Sequence, residues 1–470
     1  MDKLTEVLQQ KFGHTSFRDG QKEILEQIIA GKDVMAVLPT GMGKSLLYQL
    51  PAYLLEGTVL IVSPLLSLMQ DQVEQLKMLG EKRVVAINSF LAYEQREQAF
   101  RQLSSYKFIF TSPEMLQNEG FNTLLSTMRI AYIVADEAHC ISQWGFDFRP
   151  DYLRISTWLQ TLHRPNVLAL TATATKEVVN DIKTTLRMKE PFEYIHSIDR
   201  PTIAFEVREV EDQQEKLAWL FGRITTTNGP GILYTQSRKK AQFYAEQLRN
   251  KGISVAYYHA KMDQEDRILV QQQFQRGELE WICATNAFGM GIHKHNIRQI
   301  IHDHIPTSIA NYMQEVGRAA RDGGHSIASL IYTNSDVEQA FFVSMQDFPE
   351  EADIRLVFQT EQQQVQLPET TSRILTYWKE VLSEQQTIQL FTDIKQKKWL
   401  EIQRLHTLFR NEKCVREQLL NYFGETFIEK PAQCCSVCEL DLQQVLIPRG
   451  QENEEKVLPN WSTRLNELLH

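Results

Sequence analysis

Short, almost wholly apolar runs alternate with amphipathic stretches over residues 1–335. Residues 58–62, 107–110, 131–134 and 166–170 carry apolar side chains with scarcely a polar break. Runs this short, without polar alternation, are the pattern of strands covered on both faces, as in a parallel sheet. Between them the apolar period changes: within residues 21–30, Ile24, Leu25, Ile28 and Ile29 share one helical face. Strands alternating with helices predict a doubly wound α/β domain. The pattern then restarts, and residues 231–234, 253–257, 280–284, 299–301 and 329–332 predict a second set of parallel strands. Ser197-Ile198-Asp199-Arg200-Pro201 lies between the sets and reads as a hinge. After residue 340 the β signal fades into amphipathic helices. The expected division is one α/β lobe over 1–205, a second over 206–340, a small helical unit over 341–440 and a short tail over 441–470.

Length and composition fit this division. A chain of 470 residues, 43% hydrophobic and 23% charged, is an ordinary globular protein of about three domains. No apolar run approaches the ~20 residues that span a bilayer. Met1-Asp2-Lys3-Leu4-Thr5-Glu6 lacks the basic-then-apolar layout of a secretory signal. A cytoplasmic protein without a membrane partner is therefore expected. The net charge of −9 does not exclude nucleic acid, because net charge governs long-range steering rather than the field inside a groove. Of six cysteines, Cys414, Cys434, Cys435 and Cys438 cluster late in the chain. In a cytosolic protein that clustering favours a metal over disulfides. Cys140 and Cys283 stand alone in apolar surroundings and are expected to be structural.

The chemistry begins after the apolar run at residues 34–38, where Pro39-Thr40-Gly41-Met42-Gly43-Lys44-Ser45 leads into a helix. Strand, glycine-rich loop and helix make a phosphate cradle, in which backbone N–H groups curl around phosphate oxygens. Thr40, Gly41, Met42 and Gly43 line the cradle, Lys44 reaches the β- and γ-phosphates, and the Ser45 hydroxyl binds Mg²⁺. Leu38 stands where the strict pattern has glycine. The complement is an acidic pair at the end of another strand, Ile133-Val134-Ala135-Asp136-Glu137-Ala138-His139. Asp136 is the candidate Mg²⁺ holder and Glu137 the residue that polarises the attacking water.

Asp136-Glu137-Ala138-His139 resembles the DExH box of superfamily 2 helicases, which brings His139 into the catalytic set. Leu170-Thr171-Ala172-Thr173-Ala174 is similar to the segment that couples hydrolysis to lobe movement. Gln314-Glu315-Val316-Gly317-Arg318-Ala319-Ala320-Arg321 resembles the arginine-finger motif. The resemblance implies that Gln314, Arg318 and Arg321 complete the site when two RecA-like lobes close. Ala320 departs from the glycine often found there, with little effect expected.

Other segments narrow the resemblance to the RecQ family of DNA helicases, over residues 1 to about 440. Phe12-Gly13-His14-Thr15-Ser16-Phe17-Arg18-Asp19-Gly20-Gln21 resembles the RecQ motif ahead of the phosphate loop. It implies that Gln21 reads the adenine edge and Arg18 supports that end of the nucleotide. Residues 39–49, 62–72 and 284–292 also look like RecQ versions of their motifs. Ile141-Ser142-Gln143-Trp144-Gly145-Phe146-Asp147-Phe148-Arg149-Pro150-Asp151-Tyr152 resembles the RecQ aromatic-rich loop, with Trp144, Phe146 and Arg149 as the DNA contacts. Residues 414–425 and 434–438 resemble the RecQ zinc subdomain, in which Cys414, Cys434, Cys435 and Cys438 hold a structural Zn²⁺. The usual spacing has a cysteine at the position of Ala432, and Cys434 takes that place through a shifted loop.

The resemblance implies an ATP-dependent helicase of 3′-to-5′ polarity acting on single-stranded, forked or overhang duplex DNA in recombination and repair. A single-stranded DNA-binding protein is an expected partner, a monomer the expected state, and the bacterial cytoplasm or nucleoid the expected location. About 30 residues follow the cysteine cluster, too few for the winged-helix and helical nucleic-acid-binding domains of many RecQ proteins. Two rivals follow. An RNA helicase of the same superfamily shares the nucleotide motifs, and an ATP-gated DNA-binding or annealing protein needs no strand-separating wedge.

Overall fold

The structure, a computed structural model, describes residues 2–64, 66–88, 91–142, 150–289, 294–345, 348–359, 367–426, 429–438 and 440–450. Among these, seven strands form one sheet: β1 (Val34–Val37), β2 (Thr58–Val62), β3 (Val84–Ile87), β4 (Phe108–Thr111), β5 (Ile130–Ala135), β6 (Val167–Thr171) and β7 (Phe192–Ile195). Their order is β3-β4-β2-β5-β6-β1-β7, and each pairing is parallel. A second parallel sheet contains β8 (Ile203–Glu209), β9 (Gly231–Tyr234), β10 (Val255–Tyr258), β11 (Trp281–Ala284), β12 (Gln299–His302) and β13 (Ser326–Tyr332), in the order β10-β11-β9-β12-β13-β8. The expected α/β class with two doubly wound lobes is what the chain adopts.

The unbroken apolar runs are explained by burial on both faces. β1, β2, β4, β6, β9, β11 and β12 are buried at every residue, between helices that cover both sides of their sheets. β7 is an edge strand of alternating half-buried and exposed residues, and a run of that kind carries no continuous apolar signal. β8 straddles the expected boundary at residue 205, and all of it lies in the second sheet, paired to β13 from Ile203 to Glu209.

Sheet order does the work of positioning. β5, β6 and β1 are neighbours, so the loops leaving their carboxyl ends emerge side by side. Those loops carry Asp136-Glu137, Thr171-Ala172-Thr173 and the glycine-rich segment. Ligands of open α/β sheets bind at such a carboxyl-end crevice.

Beyond β13 the chain is helical: Ser335–Met345, Glu351–Gln359, Glu369–Val381, Glu384–Arg410 and Val415–Tyr422. The long fourth helix starts at a capping box, with Ser383 bonded to the Gln386 amide and the Gln386 side chain bonded back to the Ser383 amide. Its first half packs with the two preceding helices through Ile354, Leu375, Trp378, Phe391 and Ile394. Its second half does something else. Ile402, Leu405, Leu408 and Phe409, with Val415, Leu419 and the two buried thiols Cys434 and Cys435, join the core of the second lobe. Among the described residues no helix is long and apolar enough to cross a membrane.

Candidate functional site

The loop after β1 turns through two glycines with left-handed backbone, Gly41 (φ 91°) and Gly43 (φ 74°), before the helix Lys44–Gln49 begins. A Cβ at Gly43 would lie 2.7 Å from the amide nitrogen at the end of the Gln21 side chain, and the left-handed backbone there favours glycine. Gln21 is buried and fully engaged. Its Nε2 donates to the Met42 carbonyl (2.9 Å) and its Oε1 accepts from the Arg18 amide (2.9 Å). Arg18 in turn donates to the Gly41 carbonyl. The pair thereby braces the phosphate loop.

Opposite Lys44 stands the acidic pair. The Asp136 amide donates to the Val62 carbonyl (2.9 Å), its carbonyl accepts from the Tyr152 hydroxyl (2.8 Å), and its carboxylate accepts from the Glu137 amide (3.0 Å). Glu137 adopts a left-handed turn (φ 47°), which swings its carboxylate to 3.9 Å from Lys44 Nζ and 3.4 Å from His139 Nδ1. His139 Nδ1 also lies 2.9 Å from Thr171 Oγ1, which donates to the Thr173 carbonyl (3.1 Å). The histidine thus joins the acidic pair to the segment after β6. Burial, and next the Glu137 charge, push the Asp136 carboxyl up to about 7, although Lys44 pulls it down. A carboxylate pair so poorly served by its surroundings suits a cation.

The second lobe reaches this loop directly. Thr40 Oγ1 donates to the Gly317 carbonyl (2.6 Å), and Arg321 Cγ lies 3.2 Å from where a Gly41 side chain would begin. Arg318 is buried and donates to the Gly289 carbonyl, and Gln314 is buried on the preceding helix, Ile309–Val316, one turn before Gly317. Burial, then Arg318 and Arg200, push the Arg321 guanidinium down to about 9. Cations crowded in this way are relieved by an anion. Ala320 lies in the left-handed region (φ 52°) and is buried, which costs a residue with a Cβ about 1–2 kcal/mol and accounts for the glycine usual at that place. The substitution is therefore less neutral than its sequence suggested.

Three known domain families match the chain: DEAD/DEAH box helicase over residues 18–182, helicase conserved C-terminal domain over 213–323, and RecQ zinc-binding over 376–439. "Probable ATP-dependent DNA helicase RecS" of Bacillus subtilis is 40% identical over 490 residues, an alignment covering all of this chain and 98% of the relative. The chain belongs to the RecQ family of ATP-dependent DNA helicases. "ATP-dependent DNA helicase RecQ" of Haemophilus influenzae is 37% identical over 434 residues, and there the match covers 92% of this chain but 63% of the relative. Among solved structures, the DUF1998 helicase MrfA bound to DNA superposes with a TM-score of 0.59 at 18% identity, over 73% of this chain and 53% of that one. Dbp5 of S. cerevisiae bound to RNA and ADP BeF3 gives 0.59 at 16% identity, over 74% and 91%. These distant structures share the fold.

The RecQ zinc-binding segment brings its four cysteines together. Four thiolates at ~2.3 Å from one Zn²⁺ stand about 3.8 Å apart. Cys414 Sγ lies 3.6 Å from Cys434 Sγ and 3.9 Å from Cys435 Sγ, and all four sulfurs fall within 4.8 Å of one another. Cys434 therefore stands with the others despite its unusual spacing. Cys140 and Cys283 are fully buried, away from this cluster. Trp144, Phe146 and Arg149 lie outside the described residues, as do the end of the 284–292 motif and residues 451–470 of the tail.

Sequence reading missed the part played by Arg200. It donates to the carbonyls of Ala319 (3.3 Å) and Ala320 (2.7 Å), inside the arginine segment. Its place in the hinge was the available signal. It also missed the pair of buried His302 and Glu315 (2.8 Å), which ties β12 to the helix before the arginines.

The arrangement predicts a separation of binding from hydrolysis. Glu137→Gln is expected to keep ATP affinity and lower turnover by about 100-fold or more, the usual range for loss of a positioned base. Normal turnover in steady-state ATPase assays would remove Glu137 from that role.

Proposed function

We propose that the chain hydrolyses ATP between its two lobes, and that the cycle drives 3′-to-5′ translocation along single-stranded DNA and unwinding of forked or overhang duplexes in recombination and repair. The observation that carries this reading is the meeting of the phosphate loop with the arginine segment, through Thr40 and Gly317 (2.6 Å). In the proposed cycle Lys44 grips the phosphates, Glu137 orients the attacking water, and Arg318 and Arg321 stabilise the charge of the transferring phosphoryl group. His139 and Thr171 relay the state of that site to the segment after β6. Release of the phosphates lets the lobes part, and alternating grips on the strand advance it. The polarity rests on family membership.

In this reading Asp136 and Ser45 hold Mg²⁺, which supplies charge neutralisation at the β- and γ-phosphates, and the four cysteines hold a structural Zn²⁺. Trp144, Phe146 and Arg149 stack on bases and grip phosphate. The partners are single-stranded and forked DNA and a single-stranded DNA-binding protein, and the chain acts as a monomer in the bacterial cytoplasm.

The primary test is ATP hydrolysis without nucleic acid, with single-stranded DNA and with single-stranded RNA. Strong stimulation by DNA alone is expected, and Trp144→Ala or Arg149→Ala should blunt it while sparing basal turnover. Equal or greater stimulation by RNA would replace DNA with RNA as the track.

Because the Asp136 carboxyl is raised, the free protein retains that proton up to about pH 7, and a cation must displace it. Apparent Mg²⁺ affinity is therefore expected to fall about tenfold from pH 8 to pH 6 in calorimetric titration. An affinity independent of pH would count against Asp136. For zinc, Cys434→Ser should lower the bound metal, measured by elemental analysis, and reduce thermal stability; an unchanged stoichiometry of one would leave Cys434 a bystander.

A further inference from the structure

The connector between the lobes, residues 196–202, is held from two sides. On one side stands the zinc-binding segment. Arg416, fully buried in the helix Val415–Tyr422, donates to the Asp199 carboxylate, to the Arg200 carbonyl (3.1 Å) and to the Ile203 carbonyl. Glu425, just past that helix, accepts from the Ser197 hydroxyl (2.6 Å) and the Ile198 amide (3.2 Å). The same segment is stitched to β8, where the Phe205 amide donates to the Cys434 carbonyl (3.1 Å) and the Ser436 amide to the Phe205 carbonyl (2.8 Å). On the other side, the connector's own Arg200 reaches the Ala319 and Ala320 carbonyls. Those two residues lie between Arg318 and Arg321, and Ala320 is held with φ of 52°.

Two features separate this arrangement from ordinary packing. A left-handed alanine does not keep its turn unaided, so an outside donor to its carbonyl fixes which way the flanking side chains point. Moreover, the Arg200 charge contributes to the depressed pKa of Arg321, and Asp322 draws Arg200 to this turn.

We propose that Arg200 and Arg416 are positioning residues for the hydrolytic site. Arg416 fixes the connector, the connector aims Arg200, and Arg200 holds the turn that presents Arg318 and Arg321 to the phosphate loop. The zinc-binding segment thereby sets the geometry of the arginines. This inference rests on the role given to Arg318 and Arg321 above.

A chain of contacts needs coupling energies to establish it, and a double-mutant cycle supplies them. The measurements are kcat and KM for DNA-stimulated ATP hydrolysis in Arg200→Gln, Arg416→Lys, Arg321→Ala and the pairs with Arg321→Ala. Arg416→Lys keeps the charge but lacks the fork that reaches three acceptors at once. Each positioning variant is expected to lower kcat about tenfold, the scale of one hydrogen bond to a charged group, with KM changed less than about twofold. Each should slow Arg321→Ala by a clearly smaller factor than it slows the wild type, because part of its effect runs through the residue already removed. A purely structural role would slow Arg321→Ala by the same factor as it slows the wild type. Should Arg416→Lys fail to fold, Arg200→Gln decides alone, its side chain being only partly buried. Normal kcat in Arg200→Gln, or full additivity with Arg321→Ala, overturns the proposal. Normal turnover in Arg321→Ala itself would instead remove the reading of the arginines, and this inference with it.

Discussion

Two largely buried clusters of like charge lie on either side of the contact between the phosphate loop and the second lobe. Asp136 and Glu137 follow β5 of one sheet, and Arg318 and Arg321 follow the helix Ile309–Val316 of the other lobe. Neither cluster can neutralise itself, because like charges held together out of water oppose ionisation. That opposition is visible in the raised Asp136 carboxyl and the depressed Arg321 guanidinium. Each half is destabilised alone and relieved by what the other half, or a phosphate with its cation, supplies. The rest of the molecule serves to bring these halves into register: a sheet order that sets β5 beside β6 and β6 beside β1, a phosphate loop braced by Arg18 and Gln21, and a connector gripped at both ends.

The relation between hydrolysis and movement follows from the same constraint. Glu137, His139, Thr171 and Thr173 form a continuous line of polar contacts across the carboxyl ends of neighbouring strands. A change in charge at the acids is felt by the loop after β6 without any long lever. The arginine segment is tied just as closely, to β12 through Glu315 and His302 and to the connector through Arg200. In the proposed cycle both lobes would therefore present the nucleotide with groups whose backbones are fixed elsewhere, which is how a site avoids reorganising at the moment of reaction.

Much of this was legible in the sequence because parallel strands leave a continuous apolar record and phosphate loops an exacting one. β1, β2 and β9 lie where their apolar runs lie, and Lys44, Asp136 and Glu137 stand together as their spacing predicted. β3 and β7 were not foreseen; they are short edge strands, only partly buried, and such strands carry half a signal. β8 hid behind a hinge motif that ends where the strand begins. The bonds of the Gln21 side chain to the Arg18 amide and the Met42 carbonyl show a different limit, since such partners are set by backbone placement that no linear pattern encodes. Ala320 shows a third, since a dihedral angle is invisible until the turn around it is built.

The shared core of the second lobe and the zinc-binding helices has an architectural meaning. Phe409 packs edge-on against Tyr312, Val415 and Leu419 complete the same apolar cluster, and Cys435 bridges to Phe205 of β8. The zinc-binding helices and the second lobe thus share one hydrophobic interior, and neither buries its apolar face without the other. A fragment ending before those helices would bare a broad greasy wall and clump, whatever its nucleotide motifs promised.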